Sequence, residues 1–132
     1  MAIVTRWDNK KKTVVLLEFE SEWTWPDLEV AIQKADELIG SVEHFVDLII
    51  DLEGAAIPRD IMTGAKNLLA SGEARPNEGA RVVVGANGAL RTIYQTLQKT
   101  FNNDMEGREV LFASTLADAR AIIRGLALDR QA

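Results

Sequence analysis

The chain has 132 residues, 47% of them apolar and 27% charged, a balance that supports one globular core and excludes a disordered chain. Its 20 acidic residues outnumber its 15 basic ones, and the resulting net charge of −5 argues against nucleic acid and anionic membrane surfaces as partners. It has no cysteine, which excludes disulfides, thiolate nucleophiles and thiolate-bound metals. With no basic, apolar leader and no apolar run near the ~20 residues of a bilayer span, the expected location is the cytoplasm.

Ile3–Trp7 and Thr13–Glu20 are rich in β-branched and apolar residues and flank the polar stretch Asp8–Lys12. The chain is therefore expected to open with a β-hairpin whose Lys10-Lys11-Lys12 run is a solvated turn. Thr24 is placed to cap a helix, with Asp27 in its first turn and Pro26 where a helical amide would have no acceptor. Leu28, Ala31, Ile32, Ala35, Leu38 and Ile39 then make one apolar face, and Gly40 ends it. Phe45–Asp51 is a near-continuous apolar run, as in a central strand of a parallel sheet covered on both faces. Pro58 opens a second predicted helix with Ile61, Ala65, Leu68 and Leu69 inward, closed by Ser71-Gly72. After a loop from Glu73 to Ala80 comes a short strand, Arg81–Gly85, and a third helix, Ala89–Phe101.

Val110–Ala113 is the last predicted strand, and Ser114 or Thr115, with Asp118, starts a final helix with Leu116, Ala119, Ile123 and Leu126 in a stripe. The tail Asp129–Ala132 is expected to fray. The order ββαβαβαβα predicts a single α/β domain over residues 1–128, with a mixed, mostly parallel five-stranded sheet and four helices.

In open α/β sheets ligands gather at the carboxyl ends of the strands, so the loops after Glu20, Asp51, Gly85 and Ala113 are the first place to look for chemistry. Glu20, Asp51 and Glu53 supply hard oxygen ligands of the kind magnesium takes, although such acids also cap strand ends, and no metal or other cofactor is assigned. Gly85-Ala86-Asn87-Gly88 joins a strand to a helix, where free amides can receive an anion. Its spacing is that of neither a phosphate-binding nor a dinucleotide loop, and a tight turn capped by Asn87 is the alternative. Asp51, Gly85, Asn87 and Ser114 are the resulting candidates for a small ligand. The sole histidine, His44, precedes a strand at the opposite edge and is expected on the surface, so no nucleophile, base and orienting group can be assembled and no catalytic residue is assigned. Trp23 and Trp25 flank Thr24 and cannot be equally buried; one of them is a candidate anchor for a protein contact, or a staple of the helix start.

The element order, together with Val46-Asp47-Leu48-Ile49-Ile50-Asp51-Leu52-Glu53-Gly54 leading to the second helix, resembles the STAS domain of bacterial anti-sigma-factor antagonists over nearly the whole chain. Members of the switching kind carry an Asp-Ser pair at the start of the second helix, and an anti-sigma kinase phosphorylates the serine to break the complex. Here that pair falls on Arg59-Asp60, so the phosphoacceptor is absent, and Thr63, one turn on, is only a weak substitute. Asp60 carries a permanent negative charge but not the full charge of a phosphoserine. The resemblance implies a non-catalytic regulatory domain that binds a protein partner, such as an anti-sigma-type regulator, through the second helix and its preceding loop. Arg59, Asp60, Thr63, Trp23 and Trp25 are the residues expected to carry the contact, and an edge strand or the Trp23–Trp25 loop could also support a homodimer.

The strand ending at Asp51 also looks somewhat like that of a response-regulator receiver. That resemblance would need an acidic pair from Glu18 and Glu20, a serine or threonine where Gly85 stands and a lysine where Ala113-Ser114 stands. The alternative to partner binding is a small-molecule or anion site in the carboxyl-edge loops.

Overall fold

The computed structural model of the chain describes residues 2–56, 76–85 and 110–131, with Thr92 and Gln95 between them. Five strands form one sheet: β1 (Ile3–Trp7), β2 (Val14–Phe19), β3 (Val46–Asp51), β4 (Glu78–Val84) and β5 (Val110–Ala113). Among the described residues two helices accompany them, α1 (Trp25–Gly40) and α2 (Leu116–Gln131), of the four that the sequence predicts. The predicted helices from Pro58 and from Ala89 fall outside the described residues, except that Thr92 and Gln95 are helical. Neither described helix is long and apolar enough to cross a membrane.

The sheet order is β1-β2-β3-β4-β5, with β1 antiparallel to β2 and every later pair parallel. The hairpin closes as its residues dictate. Asn9 accepts the Thr13 amide at 3.0 Å through its side-chain oxygen and donates to Thr13 Oγ1 at 2.6 Å, while Lys12 takes φ of 57° to complete the reversal. A short polar side chain bonding its own turn in this way is the usual reason asparagine occurs there.

Helix α1 begins with a full capping box: Asp27 N–H donates to Thr24 Oγ1 at 3.3 Å, and Thr24 N–H donates to an Asp27 carboxylate oxygen at 2.9 Å. Leu28, Ala31, Ile32, Ala35 and Ile39 are buried and Leu38 is half-buried, so the predicted face is the packed one. Burial of each of the larger aliphatic chains contributes roughly 1.5–3 kcal/mol. That face lies on Val15, Leu17, Leu48, Ile50 and Val83. The alternate residues of the same strands, Val14, Leu16, Ile49, Val82 and Val84, pack with Ala113 and with Ala119 and Ile123 of α2. The central strands are thus buried on both faces, as a run such as Val46–Ile50 requires.

Two boundaries differ from expectation. Strand β4 starts at Glu78, inside the predicted loop, because Ala80 N–H donates to Asp47 Oδ1 at 2.9 Å and Arg81 pairs with Glu78 at 2.9 Å, both side chains almost fully buried. Of the two expected candidates, Thr115 caps the last helix, its Oγ1 accepting the Asp118 amide at 3.1 Å. The tail expected to fray is helical through Gln131, because Arg130 is tied to Asp47 by two bonds, at 2.6 and 2.9 Å. At 16 residues α2 is about 24 Å long, which returns the chain from the carboxyl edge to the amino edge of the sheet.

Candidate functional site

At the carboxyl edge, the alternative place for a small ligand, Asp51 and Gly85 are engaged in building loops. Asp51 Oδ1 accepts the Glu53 amide at 3.1 Å, an Asx-type turn that starts the exit from β3. Gly85 takes φ of +75°, and a Cβ there would meet the backbone of Glu53 at 2.9 Å, so glycine lets two loops touch. The Gly85 amide, a candidate anion donor, donates to Ala113 O at 3.1 Å. Ser114 is exposed, and Asn87 lies outside the described residues. The order of the described strands never reverses, so it marks no switch point of the kind where open α/β sheets hold ligands. Among the described residues no three acidic or histidine side chains gather as a metal site.

The two tryptophans are unequally buried, as expected. Trp23 is 5% exposed and sits edge-on between Phe19 and Trp25, with ring centroids 4.9 and 4.8 Å away. It is a core residue and offers no contact surface, whereas Trp25 is half-buried. The other proposed contact residues, Arg59, Asp60 and Thr63, lie outside the described residues. The loop that leads toward them is described: Ala56 N–H donates to Ser21 O at 2.9 Å, which brings exposed Glu20 and Glu22 onto the same rim as exposed Glu53.

A groove of about 820 Å³ opens at the opposite edge, where the sequence was read as turn and surface. It lies between the β1–β2 turn, the entry to β3 and the last turns of α2. Two bidentate ion pairs brace it. Arg120 donates to both Asp8 oxygens, at 2.7 and 3.0 Å, and Arg130 holds Asp47, whose side chain is 3% exposed. The Arg120 pKa is raised, chiefly by its hydrogen bond to Asp8; burial opposes this, and the charges of Asp8, Asp51 and Glu18 add to the rise. The Arg130 guanidinium also lies 5.3 Å from the centre of the Phe45 ring.

His44 is exposed, as expected, and lines this groove. Its Nε2 is 2.7 Å from Lys12 O, and because a carbonyl only accepts, that nitrogen carries a proton. The sequence signal for the groove was weak but present: Arg120, Arg124 and Leu128 recur every four residues along one side of α2. In comparisons with known proteins, no family model, no curated protein and no solved structure matches the chain.

Proposed function

We propose that the chain is a STAS-like regulatory module without catalytic activity, which binds a protein partner through the loop before its second helix, and that two further helices complete its ββαβαβαβα order. The observation that carries this reading is the Ala56 to Ser21 hydrogen bond, which sets exposed Glu20, Glu22 and Glu53 on one rim. Residues 20–24 and 52–56 include no lysine or arginine, so this rim is complementary to a basic partner surface. Charges at such a rim select the partner and speed encounter more than they raise affinity. Trp25 adds partly exposed aromatic surface beside them. Arg59, Asp60 and Thr63 extend the same contact along the second helix.

The absence of catalysis in this proposal rests on placement. His44 stands at the amino edge with one nitrogen already donating to Lys12, while Ser114 and Thr115 follow β5 at the carboxyl edge, and Thr115 Oγ1 caps α2. The test is affinity capture from the native cell extract with the wild type, a Glu20→Lys/Glu22→Lys/Glu53→Lys variant and an Arg59→Glu/Asp60→Lys variant. Partners held by the wild type and lost from both variants, with retention falling as salt rises, are expected. Identical partner lists for all three proteins would refute the proposal.

A further inference from the structure

The amino-edge groove is independent of the acidic rim and has a chemistry of its own. Its floor is apolar: Val14 and Ile123 are 7% and 5% exposed, and Ala127 lies one turn beyond Ile123. Phe45 and Leu128 stand at its mouth, 52% and 67% exposed, two large apolar side chains at one opening. Of the charged side chains lining it, Asp8 and Asp47 are neutralised by Arg120 and Arg130. Lys11 and Arg124 make no ion pair among the described residues, so the described lining of the groove carries a positive excess on a chain whose net charge is −5.

An apolar floor, an apolar mouth and two cations with no ion pair among the described residues match a ligand with an anionic head and an apolar tail. Burial of the tail provides the driving force, roughly 25 cal/mol per Å² of apolar surface, and the two cations orient the head. The groove's volume lies within the roughly 300–1,000 Å³ of small-ligand sites. A water-filled cleft whose only role was structural would not need large apolar side chains exposed at its mouth.

We infer that this groove binds a monomeric amphiphilic anion, a carboxylate or phosphate monoester bearing a medium-length apolar tail, with Lys11 and Arg124 receiving the head and Val14, Ile123 and Leu128 lining the tail. This site is distinct from the acidic rim and stands or falls separately from partner binding there.

The test is a titration of the full chain with decanoate, below the concentration at which it self-associates, followed by amide chemical shifts and by thermal unfolding. Shifts confined to Val14, Phe45, Ile123, Leu128 and their neighbours, with a rise in Tm as binding to the native state requires, are expected. Lys11→Glu/Arg124→Glu, both at exposed positions, should weaken decanoate at least tenfold while amides outside the groove keep their shifts. Leu128→Asp should weaken it as well. Acetate and decanol, the head and the tail alone, should each bind at least tenfold more weakly than decanoate. Decyl phosphate should bind comparably, and inorganic phosphate should not. The inference is overturned if decanoate leaves the groove amides unmoved, if the charge-reversed variant binds it equally well, or if acetate, inorganic phosphate or decanol matches the amphiphile. Binding to phosphatidylglycerol vesicles with none to monomeric decanoate would also overturn it, by identifying a membrane surface instead.

Discussion

Asp47 interrupts the apolar run of β3 and is 2% exposed, a position an unpaired carboxylate could not hold. It is held because one oxygen accepts from Ala80 N–H and Arg130 while the other accepts from Arg130 alone, so a single side chain joins β3, β4 and α2. A Cβ on Gly79 would fall on that carboxylate and on the Arg130 guanidinium, so the pair needs glycine beside it. Arg130→Ala leaves the buried charge with one donor and should lower unfolding free energy by roughly 3 kcal/mol, measured by urea denaturation. Gly79→Ala acts on the same pair, so the double variant should be less destabilised than the sum of the single variants. Arg120 behaves differently because it is partly exposed. Its raised pKa means that its contribution is complete below the ordinary arginine value and is lost only as pH rises through the raised one. Between pH 7 and 10 a titration of stability should therefore show no change arising from the Asp8–Arg120 pair.

Each described helix needs both ends satisfied, and the two ends of α1 are handled by different means. Thr24 and Asp27 close its start locally, within four residues. At its end Ser41 Oγ donates to Leu38 O at 2.6 Å, and the side-chain amide of Asn77 lies within 2.8–3.0 Å of Ile39 O, Val42 O and His44 O. Asn77 O in turn accepts the Val46 amide at 2.9 Å, so this residue fastens the helix end to the entry of β3. Asn77→Ala should destabilise the protein by about 1–3 kcal/mol. Asn77→Asp should be worse, since a carboxylate donates nothing and would face three carbonyl oxygens. Thermal unfolding of the two variants would check both size and order. The cap at Thr24 was legible because its partner is three residues away, whereas Asn77 is 38 residues from Ile39 and only the β3–β4 register brings it there.

The molecule as a whole has two unlike edges. The carboxyl edge is a rim of exposed acids over packed aromatic rings, and the amino edge is a groove with an apolar floor and the exposed cations Lys11 and Arg124. Helix α2 separates their chemistry, starting beside Ala113 at one edge and delivering Arg124, Leu128 and Arg130 to the other. The two proposed sites should therefore behave independently. The Glu20→Lys/Glu22→Lys/Glu53→Lys variant should bind decanoate with affinity within about twofold of wild type, and Lys11→Glu/Arg124→Glu should retain the captured protein partners. Loss of both functions in either variant would mean that the edges are coupled through the sheet.

Legible in the chain was what depends on neighbours a few residues away: the hairpin with its lysine turn, the start and apolar face of α1, the doubly buried character of Val46–Ile50 and hence the α/β class. Those features follow from local capping and periodicity, which act within a turn or a strand. Tertiary structure decided the sequential strand order, the early start of β4, the anchoring of the C-terminal helix and the placement of the groove. The physical reason is the same in each case. Asp47 and Arg130 are 83 residues apart and Asp8 and Arg120 are 112 apart, and no local preference selects such partners. They meet because burying both faces of the sheet fixes one register and one path for α2, and that path brings the groove's charges together.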